Sequence, residues 1–241
     1  VFDRPANPLG APLPFASYDR RNYPTHSVVD GYARWAPIYN TVDDRLDLVV
    51  LDALADLPAR VAGARVVDLG CGTGRVGAWL AAHGVREVVG VDLSEAMLAG
   101  ARARDVYAAT SCASILATGL PSASFDGAVS NMVVDHVADL DGFFAEAHRL
   151  VRPGGWLAVV DYHPFFLMRG IPTHFSDAAG HVAIENYVHA SSEFFQRAVA
   201  RGFAVVSFIE RFVDEEWVRA VPGYAKHVGF PVSHGWLYAR L

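Results

Sequence analysis

The residues best able to do chemistry in this 241-residue chain form one run, Val67-Asp68-Leu69-Gly70-Cys71-Gly72-Thr73-Gly74, with a second acid, Asp92, 20 positions after Gly72. Glycines at alternate positions after a strand let the backbone turn sharply and let a ligand lie against the main chain. A carboxylate at the end of the next strand, where Asp92 falls, can accept both hydroxyls of an adenosine ribose. The turn alone does not name the ligand, because Gly72-Thr73-Gly74-Arg75-Val76-Gly77 also fits the GxGxxG of nicotinamide and flavin dinucleotide sites. Charge favours a cationic ligand. Asp68, just before the turn, repels a diphosphate and attracts the ammonium of a methionine end group. The literal GxGxxG also starts two residues after Gly70, well past the strand end.

Histidines are the second set of candidates. His136 follows the fourth strand at the edge where open α/β sheets bind ligands, and His163, His174, His181 and His189 fall in the stretch after the fifth strand. A near-neutral imidazole can take a proton from an oxygen or nitrogen nucleophile. His163 is the first choice for such a base, with His136, His174 and Glu185 as substitutes. The spacings of these histidines and Glu185 match no ligand pattern, so no metal site is expected. Cys71, inside the glycine turn, reads as a backbone contact. With only Cys112 for company, both cysteines read as free thiols.

Elements that could position these residues follow from periodicity. Val1 to Thr25 holds five of the 13 prolines and reads as an extended arm. Val28 to Leu57 reads as two helices broken at Pro37. Strands are predicted at Arg65–Leu69, Glu87–Val91, Val106–Ser111, Phe125–Ser130 and Trp156–Val160. Helices are predicted at Arg75–Ala82, Ser94–Arg104 with Ser94 as N-cap, and Leu140–Leu150. Such alternation calls for a parallel sheet covered on both faces. Asp161 to His189 has no clean period and reads as an inserted cap. A helix (Ser191–Arg201) and two β-rich runs (Phe203–Val213, Val232–Leu241) finish the chain, the last two pairing antiparallel.

Composition narrows the partners. Hydrophobic residues make up 52% and charged residues 19%, with 26 acidic against 20 basic side chains and a formal charge of −6. No basic run offers a phosphate-tracking stripe, which argues against nucleic acid. No apolar stretch reaches the ~18 residues of a membrane span, and the proline-broken start has no signal core, so the expected location is the cytoplasm. Oligomeric state is left open, a homo-oligomer included.

The glycine turn, Asp92, Tyr32-x-x-Trp35-Ala36-x-x-Tyr39, Leu120-Pro121, Ser124-Phe125-Asp126 and Arg152-Pro153-Gly154-Gly155 together resemble the class I S-adenosylmethionine-dependent methyltransferases of the small-molecule type, over roughly residues 31–241. The resemblance implies that Asp68, Gly70, Cys71 and Gly72 hold the methionine end of S-adenosylmethionine and that Asp92 holds the ribose. Leu93 and Met97 would flank the adenine, and Tyr32, Trp35 and Tyr39 would lie over the cofactor. Members commonly carry a Gly-Asp pair for the adenine amino group after the third strand. Here Ser114 and Ile115 are the nearest occupants, and Asn131 completes the set.

The implied fold is a Rossmann-like α/β domain: a mostly parallel seven-stranded sheet with an antiparallel last strand and helices on both faces. It adds an N-terminal helical lid and a cap inserted after the fifth strand. Residues 1–57 would form the arm and lid, 58–161 the cofactor core, 162–190 the substrate cap, and 191–241 the closing helix and strands. The implied reaction is methyl transfer to a small, partly apolar acceptor. Aromatic residues of the cap (Phe165, Phe166, Phe175, Tyr187) and Trp217 would shape its pocket. A nicotinamide-dependent oxidoreductase and a non-catalytic cofactor-binding module remain the alternatives.

Overall fold

The computed structural model describes residues 13–41 and 46–241, so the first half of the expected proline-rich arm, residues 1–12, lies outside the described residues. The main sheet has seven strands: β1 Arg65–Leu69, β2 Glu87–Asp92, β3 Ala109–Cys112, β4 Phe125–Asn131, β5 Val151–Tyr162, β6 Phe203–Phe212 and β7 Pro231–Arg240. Their order is β6-β7-β5-β4-β1-β2-β3. The first five run parallel, and β7 lies antiparallel between β5 and β6. Strand order reverses between β1 and β4, which opens a crevice at their C-terminal ends.

Period-2 alternation along the strands decides the two layers. Val67, Leu69, Val89, Val91, Leu157 and Val159 point to one face, where they pack with Phe143, Phe144 and Leu150 of the helix Leu140–Leu150 and with Phe194 of the helix Ser191–Ala200. Val66, Val88, Ala158 and Val160 point to the other, against Val50, Leu51 and Leu54 and against Trp79 and Leu80 of the helix Arg75–Ala82. Burying each such side chain contributes about 1.5–3 kcal/mol before chain entropy is set against it. Ser94 caps the helix Glu95–Ala103 by accepting the Met97 N–H, and Asp139 caps the helix Leu140–Leu150 by accepting that of Gly142.

Two strand starts differ from the sequence reading by more than one residue. β5 starts at Val151, because the partner register jumps from Phe125–Val151 to Gly127–Trp156 and the Arg152-Pro153-Gly154-Gly155 turn is carried as an irregularity inside the strand. β3 starts only at Ala109, since Tyr107 turns inward to Asp68 instead of pairing.

After β5 the cap holds a short helix, Pro164–Met168, and the strands His174–Asp177 and Gly180–Ile184. The arm is part of this cap: Thr25–His26 pairs with Ala183–Ile184, and Leu13–Pro14 pairs with Tyr187–Val188. The helix Val28–Trp35 packs on Phe175, Val182 and Ile184, so closely that a Cβ on Gly31 would come within 2.8 Å of Ile184. Arg34 ties it down with two hydrogen bonds to Asp177, at 2.6 and 2.8 Å. Among the described residues no helix is long and apolar enough to cross a membrane.

Candidate functional site

β1 ends at Leu69 and the chain turns at once, through Gly70 (φ +80°), Gly72 (φ +52°) and Gly74 (φ +84°), into the helix Arg75–Ala82. At Gly70 the need for glycine is twofold. Its φ lies in the left-handed region, and a Cβ would sit 2.4 Å from the Val133 side chain of the neighbouring loop. The amides of Gly70 and Cys71 both donate to the Val91 carbonyl, at 2.7 and 3.0 Å, and hold the turn against β2. Asp92, at the tip of β2, accepts the Gly72 N–H with one oxygen and the Ser94 N–H with the other, each at 2.8 Å. Each oxygen keeps a further lone pair for a ligand hydroxyl. Burial raises the Asp92 carboxyl above its ordinary range, against these two backbone bonds.

A cavity of about 330 Å³ opens over this turn. Of the residues expected to hold a cofactor, Tyr32, Tyr39, Gly70, Cys71, Gly72, Asp92, Leu93, Met97, Ser114, Ile115 and Asn131 all line it. Leu93, Met97 and Ile115 line it beside Asp92 and make that part of the wall apolar. Burial, reinforced by the charges of Asp68 and Asp92, raises the Cys71 thiol so that it stays protonated, which suits a wall residue.

Asp68 and Trp35 do not line this cavity. Asp68 is fully buried and its Oδ2 accepts the Tyr107 hydroxyl at 2.7 Å. Burial pushes its carboxyl up to about 7, opposed by the Tyr107 bond and helped by the charge of Asp92. The charge argued from sequence therefore acts from behind the turn, half-neutralised near pH 7. Tyr107 also explains the third glycine of the apparent GxGxxG: its hydroxyl accepts the Gly77 N–H at 3.1 Å, and a Cβ on Gly77 would meet the ring at 2.3 Å. No signal in the chain marks Tyr107 as Asp68's partner.

A second cavity, of about 240 Å³, adjoins the first and shares Tyr32, Tyr39, Arg75 and Met132 with it. Trp35, Tyr162, Phe166, Trp217 and Tyr224 give it aromatic walls, with Thr173, His174 and Ser233 among its polar groups. Met132, between the two cavities, has φ +58°, a backbone state that a side-chain-bearing residue keeps only when its surroundings hold it. Of the aromatics expected to shape an acceptor pocket, Phe166 and Trp217 line this cavity and Tyr187 lines the first. Phe175 instead stacks on Trp35 at 4.9 Å, and Phe165 stacks on Phe230 at the surface.

The histidines sort differently from their sequence ranking. His163 lines neither cavity; it caps the helix Pro164–Met168, its Nδ1 accepting the Phe165 N–H at 3.1 Å while Nε2 bonds Glu210 at 2.9 Å. Both nitrogens are committed, which corrects the first choice of base. His136 does reach the first cavity, but Nδ1–H donates to the Glu185 carbonyl at 2.6 Å and Nε2 accepts the Tyr32 hydroxyl at 2.8 Å. Burial and nearby acids keep that tyrosine protonated and donating. Glu185 lines neither cavity, and its carboxylate accepts the Tyr187 hydroxyl. His174 lines the second cavity. Its Nδ1–H donates to the Pro172 carbonyl at 2.8 Å, leaving Nε2 as the lone-pair nitrogen, and burial lowers its pKa so that the ring is neutral at pH 7.

Sequence reasoning missed a buried acid pair beneath this region. Asp161 accepts the Asp135 N–H at 2.8 Å, and Asp135 accepts Thr173 and Asn186 at 3.1 and 2.6 Å. Burial first, and the Asp135 charge second, drive the Asp161 carboxyl well above the carboxylate range. It anchors the Met132–His136 loop to the cap.

An open α/β sheet brings a glycine turn and a buried acid, Asp92, together at its switch point, and comparison with known proteins bears on the family. Residues 67–159 match the methyltransferase domain model. A malonyl-[acyl-carrier protein] O-methyltransferase of Enterobacter lignolyticus is 40% identical over 133 residues, covering 55% of this chain and 52% of that protein. The chain thus spans about half the length of that curated relative. An uncharacterized methyltransferase of Emericella nidulans is 29% identical over 82% of this chain and 85% of its own length. The crystal structure of an S-adenosylmethionine-dependent methyltransferase from Mesorhizobium loti superposes with a TM-score of 0.64 at 28% identity, covering 79% of this chain and 100% of that one. The domain match, the curated relatives and the solved structure together support a class I S-adenosylmethionine-dependent methyltransferase. Among the described residues no cluster of three or more His, Cys, Asp or Glu could hold a metal ion.

Proposed function

We propose that this chain transfers a methyl group from S-adenosylmethionine to an oxygen, nitrogen or carbon nucleophile of a small, partly apolar molecule. The observation that carries this reading is the pair of adjoining cavities: a glycine turn with Asp92 walls one, aromatic rings wall the other, and Tyr32, Tyr39, Arg75 and Met132 belong to both. When bound, S-adenosylmethionine supplies a methyl carbon made electrophilic by its sulfonium. The chain's own work is to align the acceptor and keep water out.

In this reading Asp92 accepts the ribose hydroxyls and Leu93, Met97 and Ile115 enclose the adenine. The main chain of Gly70–Gly72 lies along the amino-acid end, with Asp68 contributing a negative field from behind. His174 replaces His163 as the general base, since it lines the second cavity and its Nδ1–H, bonded to Pro172, leaves the lone pair on Nε2. Residues 58–161 form the cofactor core, 162–190 and 191–241 complete the acceptor side, and the lid within 1–57 separates the cavities. The setting is the cytoplasm.

Calorimetry with S-adenosylhomocysteine tests the reading. Wild type should bind, and Asp92→Ala should weaken binding about 100-fold, the scale of two lost charge-assisted hydrogen bonds. No binding, or an unchanged affinity in the variant, removes it. Turnover with candidate acceptors then separates transfer from mere cofactor holding.

A further inference from the structure

Charge is spread unevenly over this chain. Around the sheet, Arg65, Arg102, Arg149 and Arg152 each pair with an acid. On the cap side, Arg20, Arg21, Arg169 and Lys226 form no ion pair among the described residues. Arg20, Arg169 and Lys226 are exposed and Arg21 is half-buried. The acid beside them in sequence, Asp19, is turned to the backbone, where its Oδ1 accepts the amides of Arg21 and Asn22. Like charges gathered without counter-charges repel one another, and an anion relieves that repulsion.

Hydrogen bonds and ring contacts bring these four cations together. The Arg20 N–H donates to the carbonyl of Gly170, the neighbour of Arg169, at 3.3 Å. The Arg169 guanidinium lies 4.1 Å from the centre of the Phe230 ring, and the Phe230 N–H donates to the carbonyl of His227, the neighbour of Lys226, at 3.0 Å. After burial, the charges of Lys226, Arg169 and Arg21 lower the His227 pKa, and no acid acts against them.

The cluster flanks the second cavity. Arg21 donates to the Tyr23 hydroxyl at 3.3 Å, and the Tyr23 ring lies 5.5 Å from that of His174. Lys226 stands two residues after Tyr224 in the segment Pro222–His227, and Arg169 ends the helix that carries Phe166. His174, Tyr224 and Phe166 line the cavity, whose described lining residues include no Asp or Glu. His174 and Tyr224 are half-buried, so this wall reaches the surface beside the cations. An aromatic space with a positive rim suits a molecule that has an apolar body and a negative end.

We infer that the methyl acceptor carries an oxyanion, a carboxylate or a phosphate, which Arg21, Arg169 and Lys226 select at the rim of the second cavity while its apolar body occupies the cavity. The inference rests on the second cavity being the acceptor side of the proposed methyltransferase. A neutral molecule of the same shape forgoes the attraction, and a cationic one is repelled.

Calorimetric titration of the full chain tests it, with saturating S-adenosylhomocysteine and at constant ionic strength. Benzoate should bind about tenfold more tightly than benzamide, its neutral counterpart of nearly equal size, the sum that several exposed cations support. Phenyl phosphate should bind at least about tenfold more tightly than inorganic phosphate, because its ring leaves water for the cavity. The double variant Arg21→Gln, Lys226→Gln should bring the benzoate-to-benzamide ratio toward one, while Lys226→Arg, which keeps the charge, should preserve it. Added sodium chloride should weaken benzoate and leave benzamide unchanged. Equal affinities for benzoate and benzamide, no binding of either anion, or a preference that survives the double substitution overturns the inference. Phenyl phosphate bound no better than inorganic phosphate overturns it too, since the rim would then collect anions without the cavity. S-adenosylhomocysteine, titrated alone into the same proteins, separates the two failures. If it binds while the anion preference is missing, only the acceptor assignment falls; if it does not bind, the cofactor reading falls as well, while the anion preference still judges the rim.

Discussion

The two adjoining cavities are built in opposite ways. The first is lined largely by runs of neighbouring residues, within Gly70–Val76, Asp92–Met97, Ser114–Leu116 and Asn131–Asp139, the first two joined through Gly70, Cys71 and Gly72 amides bonded to Val91 and Asp92. The second gathers single side chains from far-apart segments: Trp35, Met132, Tyr162, His174, Trp217 and Ser233. A turn made of glycines and one acid can serve any member of a family that uses the same cofactor. A wall of scattered aromatics can change one residue at a time without disturbing the sheet, which is how one fold comes to accept different molecules.

Substitutions should separate the two along those lines. The largest effect belongs to Gly70→Ala, which forces a left-handed alanine, at ~1–2 kcal/mol, against Val133, at a further ~1–3 kcal/mol. Thermal unfolding should show a clear loss of stability, and S-adenosylhomocysteine binding should fall more than about 100-fold. Retained binding would mean that the turn does not cradle the cofactor.

His174→Ala comes next and touches the other cavity only. Turnover should drop about 100-fold with S-adenosylhomocysteine affinity unchanged, the low end of what a general base supplies. In wild type, burial lowers the His174 pKa, so the acid limb of the turnover profile should lie below pH 6.5. That limb should vanish in the variant.

Asp68→Asn probes the back of the cofactor turn. The Asp68 carboxyl titrates near 7 when folded against an ordinary value of 3.8, so the native state binds the proton more tightly. The stability this group contributes is therefore fully present below about pH 4 and is lost as pH rises to about 7. Asn can still accept the Tyr107 hydroxyl, so the variant should flatten this slope and gain about 1–3 kcal/mol at pH 8 relative to wild type. Denaturant melts at pH 5 and pH 8 measure it.

Smallest should be Tyr32→Phe, which removes the hydroxyl donated to His136 at the boundary between the cavities. A single hydrogen bond of about 0.5–1.5 kcal/mol predicts a few-fold change in cofactor and acceptor affinity together. An effect on one ligand alone would show that this tyrosine belongs to one cavity.

Legibility in the chain followed the same divide. β1 and the helix Arg75–Ala82 have the bounds that periodicity and glycine punctuation predict, and eleven expected cofactor residues meet in one cavity. Such signals are local: a strand of apolar residues, a turn that only glycine tolerates, an acid one strand later. In the sequence the cap shows only as an insertion without period. Its strands pair with two-residue pieces of the arm, Leu13–Pro14 and Thr25–His26, which are too short for any periodic trace. His163 ranked first among the bases because it follows β5. A backbone amide two residues on and Glu210, 47 residues away, claim its two nitrogens.

By itself the sequence determined the sheet, its crossovers, the cofactor turn and the family, since each depends on neighbours within a few residues or on the alternation of one strand. Tertiary structure alone decided that His174 holds its proton on Nδ1, that Asp68 answers to Tyr107, and that Asp161 accepts from the Asp135 amide. Burial and partnership set those properties, and both come from residues that meet only after the chain has closed on itself.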